Sequence, residues 1–319
     1  MFYPNLLSAF FLLHFFLFSP PKNNTIHLAD PTIFYHDSIY YLYGTSGSDS
    51  NHGFEVYLST DLDSWKKSEK NGGFALKKGD SFGDKGFWAP QVFAFEGKFY
   101  MAYTANEQIA IAVADSPLGP FTQSLKSQLQ APVKQIDPYV FIDTDGKKYL
   151  YHVRLSEGNR LYVAELEDYF SGIKKETLTY CFHAEDVWEN TEKADWSVSE
   201  GPAIIKHKGL YYFIYSANDF RNPDYAIGYA VSKSPLGPWV KSASNPIFDR
   251  NDAKINGTGH GDYFVDVEGK LRYVLHTHAS DSEVAPRKTA LIELEFVKGD
   301  GNVDDLRVKD NSFRFLKED

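Results

Sequence analysis

The feature that most constrains this chain is a unit that recurs five times along it. Each copy opens at a polar or Gly/Pro corner, enters an apolar strand, turns at a charged or glycine-containing bend and resumes as a Tyr/Phe-rich strand. The first two copies are Asp30-Pro31-Thr32-Ile33-Phe34 leading to Tyr40-Tyr41-Leu42-Tyr43, and Trp88-Ala89-Pro90-Gln91-Val92 leading to Lys98-Phe99-Tyr100-Met101. The third is Asp137-Pro138-Tyr139-Val140-Phe141 leading to Lys148-Tyr149-Leu150-Tyr151. The fourth joins Glu200-Gly201-Pro202-Ala203-Ile204 to Leu210-Tyr211-Tyr212-Phe213, and the fifth joins Gly259-His260-Gly261-Asp262-Tyr263 to Leu271-Arg272-Tyr273-Val274. A third alternating strand follows each hairpin, at 55–58, 109–114, 161–165, 226–231 and 290–294. Two copies end in nearly the same hexapeptide, Ser116-Pro117-Leu118-Gly119-Pro120-Phe121 and Ser234-Pro235-Leu236-Gly237-Pro238-Trp239, and Leu62-Asp63-Ser64-Trp65 holds that place in the first copy. A period of roughly 50 to 60 residues with about four strands per unit is the size of a propeller blade and not of an ankyrin or tetratricopeptide repeat. The expectation is an all-β, five-bladed β-propeller.

Composition agrees with that architecture. Aromatic residues make up 16% of the chain, with 21 Tyr and 25 Phe against 2 Met, and aromatic side chains pack well on pleated surfaces. No long stretch sustains a helical period, and Gly and Pro interrupt the chain often. The net charge of -10 and the lack of a basic block leave nucleic acid without an electrostatic footprint. Cys181 is the only cysteine, so an intrachain disulfide and a multi-cysteine zinc site are excluded, and a buried structural thiol is expected. The apolar run at 6–18 has the length of a signal-peptide core and is short for a membrane span. Residues 1–21 therefore read as a signal peptide or a disordered N-terminal segment, with a periplasmic or extracellular protein and no membrane span in the mature chain. Residues 22–319 read as one propeller domain, with Phe313, Arg314, Phe315 and Leu316 completing its sheets.

In a propeller the innermost strand of every blade lines a central funnel, so corners far apart in sequence converge on one axial pocket. The five corners carry Asp30, Trp88, Asp137, Glu200 and His260. Each carboxylate alone could be a turn residue. Three of them facing one pocket repel each other at a cost that a structural funnel has no reason to bear. Glycosidic cleavage needs such a group: one carboxyl protonates the leaving oxygen while another activates water or attacks the anomeric carbon. Opposite sides of a funnel suit the wider spacing, roughly 6.5 to 9.5 Å, that admits a water and inverts the anomeric centre.

The ordered motifs Ala29-Asp30-Pro31, Trp88-Ala89-Pro90, Ile136-Asp137-Pro138, Ser199-Glu200-Gly201-Pro202 and Gly259-His260-Gly261 closely resemble glycoside hydrolase family 43, from about Asp30 to Phe296. That resemblance implies Asp30 as general base, Glu200 as general acid and Asp137 as the residue that raises the acid's pKa and orients it. It also implies that His260 sits near a water-surrounded ion, often calcium, so that one calcium or sodium ion on the axis is an expectation while no cofactor is required. Trp88 and Phe87 could stack on a sugar, and Arg287 matches an arginine that relatives place against substrate hydroxyls, where a guanidinium donates paired hydrogen bonds. His260 joins these three as a substrate-binding candidate.

The activities implied are an exo-acting α-L-arabinofuranosidase or β-xylosidase, with endo-arabinanase or a silent carbohydrate-binding propeller as alternatives. Fructosidase-type propellers are set aside, because this chain has Ala29 before Asp30, Ile136 before Asp137 and Gly201 after Glu200. Mannoside phosphorylases would need basic groups for phosphate, and the axial set is acidic. Specificity is expected to come from the loops at 44–54 and 181–197.

Overall fold

The computed structural model describes residues 24–47, 49–299, 301 and 303–319; the apolar N-terminal run lies outside them. Five antiparallel sheets follow one another along the chain, each beginning at its innermost strand: Leu28–His36, Trp88–Phe95, Gln135–Ile142, Ser199–His207 and Gly259–Val265. The fold is the five-bladed β-propeller expected. The expectation of four strands per blade holds for the first, third and fourth blades, whereas the second is a three-stranded sheet. Its fourth position is reduced to a single bridge between Val113 and Thr122. In the first blade the third strand is interrupted at Val56: Tyr57–Ser59 stays in the blade, while Gly53–Glu55 pairs away with Phe74–Lys77.

Both faces of each blade are covered by a neighbour, which is why the strands carry aromatic residues on both sides. Tyr43, Phe54, Phe87, Met101 and Tyr103 fill the wedge between the first two blades. Phe93, Leu150 and Phe170 fill the next, and Tyr151, Phe213, Tyr215 and Tyr229 belong to the largest cluster, across the third to fifth blades. The repeated hexapeptides are docking points between blades. Tyr43 of the first blade donates its hydroxyl to the Pro117 carbonyl at 2.6 Å, and Tyr151 of the third donates to the Pro235 carbonyl at 2.7 Å. The C-terminal segment spans the last wedge: Arg314–Phe315 pairs with the fifth blade, and Lys317–Glu318 then joins the outer strand of the first blade, flanked by Asn24–Thr25. Hydrogen bonds from the two ends of the described chain thus close the ring, a job the sequence had assigned to 313–316 alone.

One device repeats at the top of all five inner strands. The register with the middle strand slips by a bulge between Ala29 and Thr32, Trp88 and Gln91, Ile136 and Tyr139, Glu200 and Ala203, and Gly259 and Gly261. Each bulge holds one residue at positive φ: Asp30 (47°), Ala89 (46°), Asp137 (55°), Gly201 (62°) and His260 (39°). Non-glycine residues are held there only when the surroundings over-determine them. They do so here through the bulge N–H groups, which meet polar side chains of the preceding blade's middle strand. Ala89 donates to Thr45 Oγ1 (3.0 Å), Asp137 to Thr104 Oγ1 (2.9 Å), His260 to Ser216 Oγ (2.8 Å) and Asp30 to His276 Nδ1 (3.1 Å). The third blade has Val153 at this register, and the Gly201 N–H instead points at Asp137 Oδ2, 3.4 Å away.

Candidate active site

The bulges alter how the axial residues correspond. Asp30, Asp137 and His260 occupy the bulge residue itself, but Glu200 and Trp88 stand one position before it, beside Gly201 and Ala89. The sequence reading had placed all five at equivalent corners. Gly201 explains the offset in the fourth blade, because a Cβ there would lie 2.8 Å from the His260 ring. A side chain on that residue would displace the imidazole, so the carboxylate of this blade comes from its neighbour.

A cavity of ≈ 460 Å³ opens over the axis, lined by Asp30, Trp88, Asp137, Glu200, His260 and Arg287, with Asn159, Trp196 and Phe220 around them. All three carboxylates, Trp88, His260 and Arg287 are thus brought together. Phe87 is not. It is fully buried, stacked on Tyr103 and edge-on to Phe54, so it packs the wall between blades and its ring is closed to a ligand. The Trp88 indole is aimed by the 44–54 loop, through Ser50 Oγ at 3.4 Å, while the backbone N–H groups of Phe87 and Gly86 donate to the Ser50 carbonyl and to Asn51 Oδ1.

The three carboxylates have different surroundings. Asp30 accepts hydrogen bonds from Thr45 Oγ1 (2.6 Å) and from Arg287 Nη1 (3.0 Å), and the His260 and His276 Nδ1 atoms each lie 3.4 Å from its Oδ1. Burial opposes its ionisation, but Arg287, the two histidines and the threonine hydroxyl outweigh that and hold its carboxyl well below the usual carboxylate range. Burial keeps His260 and His276 themselves from protonating, and His276 Nδ1 accepts the Asp30 N–H, so the guanidinium carries the main share. Arg287 is thus turned to Asp30, with Phe220 over its other side at 4.6 Å.

Glu200 is pushed up to about 7, first by burial and then by the charge on Asp30; the Tyr225 hydroxyl, which donates to Oε1 at 2.9 Å, works the other way. Asp137 is raised well above its ordinary value by burial first, then by Glu200 and Asp30. Burial and mutual repulsion disfavour two charges on Asp137 and Glu200, so the pair holds at least one proton at neutral pH. Where Asp137 was expected to lift the acid, burial and Asp30 do so, and Glu200 lifts Asp137 in turn.

Below the carboxylates, His260, Asp262 and Gln91 help line a narrow axial space of ≈ 20 Å³, about the volume that one water needs. Among the described residues no group of three or more His, Cys, Asp or Glu could hold a metal ion. The donor set does not fit a directly ligated ion. Cys181 is half-buried at the edge of the largest core cluster, and burial pushes its thiol up, as for a structural cysteine. No helix of the described residues is long and apolar enough to cross a membrane.

Several site residues were not read from the sequence. Asn159 donates to Glu200 Oε2 (2.9 Å), Tyr225 holds the other oxygen, and Trp196 Nε1 donates to Asn159 Oδ1 (2.9 Å). A signal existed for the bulge anchors alone: Thr45, Thr104 and Ser216 recur at the end of the Tyr-rich middle strand of their units.

A family model described as "Glycosyl hydrolases family 43" matches residues 24–301. A solved structure described as endo-1,4-beta-xylanase from Bacteroides thetaiotaomicron is 38% identical, with a TM-score of 0.85 over 93% of this chain and 99% of that one. The beta-D-galactofuranosidase xynD of Aspergillus niger is 25% identical over 84% of this chain and 79% of that protein. A xylosidase/arabinosidase of Butyrivibrio fibrisolvens is 30% identical over 60% of this chain and 38% of its own length.

Proposed function

The chain belongs to glycosyl hydrolases family 43, a family of enzymes that hydrolyse O-glycosyl bonds, and on that premise we propose that it cleaves pentose-containing plant polysaccharides or their oligosaccharides with inversion at the anomeric centre. One observation carries the chemistry: buried carboxyls on one axis are driven in opposite directions, with Asp30 kept ionised by Arg287 and Glu200 kept protonated to about 7 by burial and by Asp30. Two titratable groups pushed apart in this way divide the roles of base and acid between them. Asp30 takes a proton from the attacking water, Glu200 gives one to the departing oxygen, and Asp137 is a positioning residue that shares a proton with Glu200 and receives the Gly201 N–H. His260, buried against Asp30 and Asp137, holds the floor of the site.

The substrate class rests on relatives described as a xylanase and a xylosidase/arabinosidase. We favour release of single sugars from chain ends, since the three carboxylates gather in one axial cavity of ≈ 460 Å³. Proton NMR of the first product tests the stereochemistry, and retention of the substrate's anomeric form would remove Asp30 from the role of base. Product lengths on linear xylan and arabinan test the mode. Monosaccharide as the first product is expected, and early internal cuts would make the enzyme endo-acting.

A further inference from the structure

Trp196 lies on the 183–198 loop, half exposed on the lining of the cavity. An indole N–H can only donate. Since it donates to Asn159 at 2.9 Å, the amide oxygen of Asn159 must face Trp196 and its NH₂ must face Glu200 Oε2. Without the indole, nothing in the pair fixes which end of the amide meets the acid. With it, Oε2 always meets a donor, so the proton of a neutral Glu200 resides on Oε1, the oxygen shared with the Tyr225 hydroxyl.

We propose that Trp196 is a positioning residue for the acid step: through Asn159 it selects the oxygen of Glu200 that carries the proton, while its exposed face receives the sugar on the leaving-group side. This rests on Glu200 being the general acid. The second half follows from the first, because a group that protonates the departing oxygen stands next to the departing sugar, and Trp196 lines the same cavity one hydrogen-bonded residue away from Glu200. Aromatic faces suit the apolar faces of sugar rings. The Asn159 donor also stabilises the ionised form of Glu200 and so offsets part of the rise caused by burial. A loop residue thereby sets both where the acid holds its proton and how readily it gives it up.

Three variants separate these functions. Trp196→Phe keeps an aromatic face and removes the N–H. It should lower kcat on a xylo- or arabino-oligosaccharide by on the order of tenfold, change KM little, and lose distinctly less on an aryl glycoside with an acidic phenol, which needs no proton. The alkaline limb of its pH profile should move up, as it should in Asn159→Ala, and the double variant should match Asn159→Ala instead of adding to it. Trp196→Ala should in addition raise KM for the oligosaccharide. A readout independent of turnover is the indole ¹⁵N–H signal of Trp196, identified among the five tryptophans by its loss in Trp196→Phe. It should titrate with Glu200 and stop moving in Glu200→Gln and in Asn159→Ala. A signal that stays flat, or additive losses in the double variant, overturns the relay even if Glu200 proves to be the acid. Undiminished activity of Glu200→Gln on poor leaving groups would instead overturn the acid assignment beneath it.

Discussion

Replacing Arg287 with methionine tests the electrostatic division of the site most directly. The guanidinium nitrogen is 3.0 Å from Asp30 Oδ1, and two unit charges at that separation attract by about 5 kcal/mol at an effective dielectric constant of 20. The Thr45 hydroxyl still donates to Asp30 in the variant, so the net loss is smaller, on the order of 2 to 4 kcal/mol, in line with stripping one partner from a buried pair. At ~1.4 kcal/mol per pH unit this raises the pKa of Asp30 by about 1.5 to 3 pH units. The sign follows from linkage. A carboxylate with a depressed folded pKa contributes stability that is present above its unfolded pKa and is lost as pH falls through the folded one. In the wild type that loss lies at very low pH; in Arg287→Met it moves up, and so does the acid limb of kcat/KM. Because Arg287 also lowers Glu200, the alkaline limb should rise too, and the whole profile should shift the same way. Urea unfolding at neutral pH gives the stability term and kcat/KM from about pH 3 to pH 9 gives the limbs. A variant with wild-type stability and an unmoved acid limb would mean that Arg287 does not hold Asp30 ionised, and the base would then lack its main support.

Two further outcomes follow from the same geometry. In the wild type kcat/KM should fall as pH rises through about 7, where Glu200 loses its proton, and remain high well below the ordinary carboxylate range because Asp30 stays ionised there; a limb several units from neutrality would dissociate the profile from Glu200. Thr104→Val should cost about 1 to 3 kcal/mol in denaturant unfolding, because it leaves the buried Asp137 N–H without its acceptor, and should reduce activity by loosening the Asp137 bulge; an unchanged midpoint would show that the bulge does not need its anchor.

The repeat was legible because a propeller forces the same local chemistry on each blade, and the corners were legible because a proline follows the bulge in four of the five units. The register of those corners was not. Asp30-Pro31, Asp137-Pro138 and Glu200-Gly201-Pro202 align by eye on their carboxylates, whereas the backbone aligns Asp30 and Asp137 with Gly201. What decides is a contact invisible along the chain, the His260 ring against the Cα of Gly201 from the next blade. Phe87 failed for a related reason: neighbouring strand residues point to opposite faces, so only one of the Phe87–Trp88 pair could reach the funnel. Asn159 and Tyr225 were beyond reading because they meet Glu200 from elsewhere in the chain, and Trp196 because it acts through Asn159, with no spacing to mark any of them. The anchors that hold the bulges do repeat, and their one break is informative. Where Thr45, Thr104, Ser216 and His276 offer a polar atom to the following blade, the third blade has Val153, and the Gly201 N–H turns to Asp137 instead. A hydroxyl at that position would satisfy this N–H and relieve Asp137 of it. By withholding one, the fold ties the backbone that carries Glu200 to Asp137, the carboxylate that the charge of Glu200 raises. Departure from a repeated rule at the point where the chemistry needs it is the expected mark of a functional site, and here a single valine carries it.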